Sequence, residues 1–233
     1  MIGRSFESDL LTAVTQLPPA TVDHGLRRLR ELYLVQPGAE ADSFDFRHAL
    51  IRDALYGDTP LPRRRHLHER VATVAAGRGY RDAFVSAHFD QGGLAEPAYR
   101  HAMAAAREAA GLSAHREALE LYRRAQRNLP AGAGAGAGSR ERAALLAAIG
   151  DEATAADDNA AALEAFEGAH RLLVEAGAGL EATAVVARLV PVTHLLGEDL
   201  ASAGPGVWRT PSTRPGTPAA PRPSRCGRPC WPP

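Results

Sequence analysis

The sequence predicts a mainly α fold: a winged-helix-like module with a small β-hairpin, followed by an α-solenoid of tetratricopeptide-like helix pairs. Three observations lead there. Two short helical patterns run into a β-prone hairpin before residue 48. Alanine-rich segments of helical period follow from about residue 94. Within them, Ala118-Leu119-Glu120-Leu121-Tyr122-Arg123-Arg124-Ala125 resembles Ala162-Leu163-Glu164-Ala165-Phe166-Glu167-Gly168-Ala169, 44 residues on.

Taken in order, residues 6–17 carry Leu10, Val14 and Leu17 at helical spacing, and Pro18-Pro19 ends that run. Thr21 is the expected N-cap of a second helix, whose apolar stripe is Val22, Leu26, Leu29 and Tyr33; Arg27, Arg28, Arg30 and Glu31 occupy its other face. Tyr33-Leu34-Val35 is β-prone, Pro37-Gly38 turns the chain, and Phe44 and Phe46 alternate in residues 43–47. A strand thus runs directly into the next helix with His48 at the junction. That helix pairs Leu50 with Ala54 and Ile51 with Leu55.

Pro60 and Pro62 precede a helix lined by Leu67, Val71, Val74 and Ala75, and residues 84–89 predict a short helix stopped by Gly92-Gly93. In the repeats, small residues such as Ala118 and Ala125 let helices approach while Leu119 and Tyr122 fill the seam. The 44-residue offset is a tetratricopeptide period of about 34 residues plus the Ala-Gly run 131–138, expected to be a flexible linker. A third repeat begins with a helix over 180–196 that Pro191 is expected to disturb. The organisation expected is therefore a winged-helix-like module over 1–58, linking helices over 59–93, repeats over 94–203 and a disordered Pro/Arg-rich tail over 204–233. The abrupt change of composition before that tail fits a shifted reading frame.

Composition excludes several chemistries. The formal net charge is zero, which favours neither nucleic acid nor an acidic membrane. No apolar run approaches the ~20 residues of a spanning helix, and no signal pattern opens the chain, so a cytoplasmic protein is expected. All 27 basic residues counted as Lys or Arg are arginine. A chain without lysine has no Walker A loop, no Schiff-base lysine and no kinase-type lysine. Cys226 and Cys230 are a metal half-site without partners. His66 and His68, at i and i+2, face different ways on a helix, and His88, Asp90 and Glu96 lack catalytic or metal-ligand spacing. No catalytic residue and no metal site are predicted.

Ile2-Gly3-Arg4-Ser5-Phe6 with Leu10-Leu11 and Ala13-Val14, then Phe46-Arg47-His48-Ala49-Leu50-Ile51-Arg52, then Arg63-Arg64-Arg65 with Leu67-His68, resembles the region downstream of the nucleotide-binding core in large ATP-binding LuxR-type transcriptional regulators. These belong to the signal-transducing ATPases with numerous domains, as do the ATPase-coupled nucleotide cyclases. The resemblance spans roughly residues 1–200. It implies a P-loop ATPase before the winged helix and an output domain after the repeats, so the chain is expected to be a middle piece that itself holds no ATP or ADP. In related switch ATPases a winged-helix histidine, often within Met-His-Asp, contacts the β-phosphate of bound ADP. His48 stands where that histidine would, with Ala49 in place of the aspartate. A capping or packed histidine without a ligand is the other reading of His48.

The resemblance implies a non-enzymatic regulatory fragment that couples a nucleotide switch to signal-sensing repeats. Its partners would be the ATPase domain and a protein or effector at the repeat surface, not a membrane. The alternatives are a stand-alone DNA-binding winged-helix regulator, using Arg27, Arg28 and Arg30 on phosphates, and the regulatory region of a nucleotide cyclase. In the resembled family the winged helix packs on the ATPase and does not read DNA.

Overall fold

The structure, a computed structural model, describes residues 5–130 and 137–196. The Pro/Arg-rich tail, both cysteines and residues 131–136 of the Ala-Gly run lie outside the described residues.

Strand β1 (Ser5–Glu7) leads into α1 (Ser8–Thr15), and α2 (Pro19–Glu31) follows. The helix expected from residue 6 starts later because Phe6 is spent on a strand, paired with Phe44. Nor is Thr21 the N-cap of α2. Pro18 holds that place with Pro19 in the first turn, where a missing N–H costs nothing. Strands β2 (Val35–Pro37) and β3 (Ser43–Phe46) complete an antiparallel sheet of order β1-β3-β2. Phe6, Phe44 and Phe46 share one face, with Phe6 6.1 Å from Phe44 and 5.8 Å from Phe46 between ring centres. Val22 and Leu26 are buried as the stripe predicts. Tyr33 belongs neither to that stripe nor to a strand: it is 69% exposed and takes φ 59°, closing α2 through the Leu34 N–H, which donates to the Leu29 carbonyl at 2.9 Å.

Helix α3 (Ala49–Asp58) leaves β3 after two residues and buries no side chain. Seven further helices are described, α4 (Leu61–Gly77), α5 (Asp82–Gly92), α6 (Ala95–Gly111), α7 (His115–Arg127), α8 (Ala137–Ala155), α9 (Asn159–Glu175) and α10 (Gly179–Leu195). Each packs on the next from α4 to α10, which makes a helix-hairpin solenoid. Helices α4 and α5 are its first hairpin, and α4 also packs on α1 through Val71 against Leu10 and Val14. Tyr80 and Phe84 lie against both that cluster and the Ala72–Ala75–Val85–Phe89–Ala98 cluster.

Five turns of the solenoid close alike. A residue at positive φ follows each helix: Gly79, Gly93, Ser113, Asp157 and Gly177. The next N–H then donates back to the carbonyl five residues earlier, from Tyr80 to Ala75, Leu94 to Phe89, Ala114 to Ala109, Asp158 to Ala153 and Ala178 to Leu173, at 2.8–3.0 Å. This is the Schellman closure that satisfies carbonyls left open at a helix end.

The 44-residue period is visible in burial. Ala118, Leu121, Tyr122 and Ala125 of α7 are buried, and so are Ala162, Ala165, Phe166 and Ala169 of α9. The closures at Ser113 and Asp157 stand in the same register. Two local expectations change. Helix α8 begins inside the Ala-Gly run, at Ala137, and α10 continues through Pro191 to Leu195.

Candidate functional site

The predicted site lies at the β3–α3 junction. Arg47, after the strand, donates its N–H to the Leu34 carbonyl at 3.0 Å, and its guanidinium lies 5.2 Å from the centre of the Tyr33 ring. His48 is the N-cap of α3 in extended conformation (φ −129°, ψ 125°), and its carbonyl accepts from the Ile51 N–H at 3.1 Å. Its imidazole makes no capping hydrogen bond, and the residue is exposed. Neither a side-chain cap nor a packed core position explains this histidine. As the N-cap residue, His48 stands at the helix end where partial positive charge accumulates.

The arginines around the junction divide by environment. Arg63 and Arg65 are exposed at the start of α4. Arg64 is half-buried, with its guanidinium 5.0 Å over the Tyr56 ring and a buried Nε that has no hydrogen-bond partner. On α2, Arg28 pairs with Glu31 at 3.0 Å while Arg27 and Arg30 remain exposed. His66 and His68 point apart as their spacing predicts: His66 faces solvent with Glu69 at 3.9 Å, whereas His68 is 1% exposed.

What sequence reasoning missed is the partner of His68. His88, on α5, brings its Nδ1 to 2.8 Å from the His68 Nδ1, and the rings lie 5.0 Å apart. On the other side of His68, Nε2 is 3.2 Å from the Tyr56 hydroxyl, which comes from the last turns of α3. Phe84 covers the His88 ring at 4.5 Å. Burial lowers the affinity of both histidines for a proton, to about 4 in each case; the Arg64 guanidinium adds to the effect at His68, and His68 adds to it at His88. A signal for this pair was present. His68 shares the buried stripe of Val71, Ala72 and Ala75, and His88 lies one turn from Val85 and beside Phe89. Extending the apolar period to histidine would have put both inside one hairpin.

Asp90 and Glu96 have structural partners. Asp90 accepts from the Asn128 amide at 2.7 Å and lies 3.6 Å from Arg127, and Glu96 is 3.9 Å from Arg100. Among the described residues no three His, Cys, Asp or Glu side chains group as metal ligands, and no helix is long and apolar enough to cross a membrane. The repeat surface holds an open groove of about 260 Å³ across α7, α8 and α9, edged by Arg123, Gln126, Glu164 and Arg171. A hollow of about 390 Å³ lies between the sheet and the α4–α5 turn, with Phe6, Leu10, Tyr80 and Phe84 in its wall. Comparison of the chain with family models, curated proteins and solved structures finds no match.

Proposed function

We propose that the chain is a non-catalytic regulatory and interaction region of an ATP-binding LuxR-type transcriptional regulator, acting in the cytoplasm. In this reading α3 is a switch helix. His48 and the α3 amides meet a nucleotide phosphate held by a separate ATPase domain, and the helix pairs from α4 onward receive a signal from a protein or effector. One observation carries the proposal. The strand-to-helix junction leaves His48 exposed and uncapped on a helix that buries none of its own residues. A helix with no fully buried residue, bearing exposed Leu50 and Leu55, is short of a partner.

The test mixes the full chain with a separately expressed ATPase core from a regulator of this kind, loaded with ADP or with an ATP analogue. Complex formation with the ADP form, weakened at least tenfold by His48→Ala, is the expected result. Equal binding by wild type and variant removes the role of His48, and no complex in either nucleotide state removes the reading.

A DNA-binding regulator is the second reading, favoured by exposed Arg27 and Arg30 on α2. A gel shift at low salt distinguishes it, since phosphate contacts produce binding that falls as salt rises. Regulation of a nucleotide cyclase in place of a promoter-binding domain is the remaining alternative; it differs in the output domain attached.

A further inference from the structure

We propose that the Tyr56–His68–His88 chain is a latch that holds α3 against the helical stack and releases it when the histidine pair takes up a proton. The functional meaning of the latch rests on reading α3 as a switch helix; its chemistry does not.

The geometry isolates the contact. Among the described residues, Tyr56 makes the hydrogen bond that joins an α3 side chain to another helix; the bonds of Arg52 to Asp53 and of Thr59, just past the helix, to the Leu55 carbonyl are local. Tyr56 also packs edge-on to His68 at 5.9 Å and lies under the Arg64 guanidinium. His68 in turn passes the contact to α5 through His88, both buried. One file of three side chains thus spans α3, α4 and α5.

Neutral, both contacts of the file are satisfied in either of two ways. The Tyr56 O–H donates to His68 Nε2 and the His68 Nδ1–H to His88 Nδ1. Alternatively, the His88 Nδ1–H donates to His68 Nδ1 and the His68 Nε2–H to the Tyr56 oxygen. One added proton leaves the hydrogen bonds intact but places a full charge in a buried hairpin. A second sets two Nδ1–H groups against each other at a 2.8 Å separation.

The charges facing the pair oppose protonation. From α4, Arg64 lies beside His68. From α7, Arg124 reaches α5 at the Ser86 hydroxyl (3.0 Å) and the Ala83 carbonyl (3.3 Å), with Asp90 at 4.0 Å balancing its charge. From α3 the facing group is the Tyr56 hydroxyl. The carboxylates of α5 are engaged elsewhere, Asp82 with His101 on α6 and Asp90 with Asn128 at the end of α7. The cheapest accommodation of a proton is therefore to open the pair to water, and Tyr56 is the lid that must move.

Hydrogen–deuterium exchange on the full chain, corrected for intrinsic rates, tests this between pH 7.5 and 4. Amides 49–58 should lose protection as the pH falls below about 6.5, while α6 and α7 keep theirs. Tyr56→Phe removes the hydroxyl and keeps the ring. It should speed exchange of α3 about fivefold at neutral pH, the net value of one hydrogen bond, and leave α4 and α5 unchanged. The double variant His68→Gln/His88→Gln, which removes both titrating rings, should flatten the pH response of α3; if that variant unfolds the hairpin, Tyr56→Phe remains decisive. PH-independent protection of α3 in the wild type, no effect of Tyr56→Phe, or simultaneous loss of α3 through α7 overturns the latch. None of these readouts uses an ATPase partner, so the latch and the proposed function fail separately.

Discussion

Gly150→Ala is the substitution whose effect the packing fixes most sharply. Gly150 sits in the middle of α8, where a glycine ordinarily costs about 1 kcal/mol relative to alanine. On propensity alone the change should stabilise. A Cβ built at Gly150, however, lies 2.5 Å from Cε1 of Phe166 and 2.7 Å from Cδ1 and Cζ. Carbon atoms in contact prefer about 3.5–4.0 Å, so the ring or the helices must move by about 1 Å. Phe166 is 1% exposed, and neighbouring Ala162 and Ala169 on α9 are fully buried, so the ring has no free volume to enter. Overpacking of this kind costs about 1–3 kcal/mol. Set against the propensity gain, the expected net loss is about 1 kcal/mol. Urea denaturation followed by circular dichroism reads it as a lower midpoint with an unchanged slope. A double-mutant cycle with Phe166→Leu isolates the contact: the smaller side chain is destabilising alone, and combined with Gly150→Ala the two should cost less than their sum by at least 0.5 kcal/mol. A Gly150→Ala chain as stable as the wild type, or more so, would refute the reasoning.

Ser113→Gly should stabilise by about 0.5 kcal/mol, because Ser113 closes α6 at φ 57° and the relief of left-handed strain exceeds the entropy glycine adds to the unfolded chain; thermal melts compared with wild type check it. Gly93→Ala, at φ 79°, should destabilise by about 1 kcal/mol in the same assay. For the histidine pair, an unfolded imidazole titrates near 6.5 and the folded one near 4, so the neutral form is favoured by folding. Its contribution is fully present above pH 6.5 and is lost as the pH falls toward 4, by about 3 kcal/mol with the coupled pair counted once. The difference in stability between wild type and the double variant His68→Gln/His88→Gln, followed from pH 7.5 to 4, should shrink by that order. Asn128→Ala should cost about 1–2 kcal/mol in urea denaturation, since the buried amide donates to both Asp90 (2.7 Å) and the Arg124 carbonyl (2.9 Å).

The solenoid was legible because its information is local and repeated. Ala118 and Ala162, Tyr122 and Phe166, Ala125 and Ala169 sit at one offset in the sequence, and each pair is buried alike. The sheet was legible only in part. Phe44 and Phe46 alternate within one strand, whereas β1 is three residues long and declares itself only through its partner, so Phe6 read as a helix start. Tyr33 was misplaced for a related reason. Its apolar ring continues the α2 stripe, yet the chain needs a left-handed closure there, and the ring finds use outside the core against Arg47. Thr21 was a good N-cap by chemistry alone and lost to Pro18-Pro19, whose fixed φ starts the helix three residues sooner.

The candidate site divides along the same line. The place of His48 at a strand-to-helix junction could be read because its neighbours in sequence, a strand ending at Phe46 and a helix starting at Ala49, are also its neighbours in space. His68 and His88 are 20 residues apart on two antiparallel helices, and neither has a ligand spacing to advertise it. Motif reasoning looks for histidines that gather round a metal or a nucleophile. This pair does the opposite: each ring uses Nδ1 on the other, which leaves His88 Nε2 and the Tyr56 contact as its outlets. Burial without a carboxylate partner makes the pair a poor proton acceptor at neutral pH and costly to charge below it. Tyr56 then decides whether that cost stays inside the α4–α5 hairpin or reaches α3. Because α3 has no fully buried residue, the latch requires only a modest cost at His68 to shift its equilibrium.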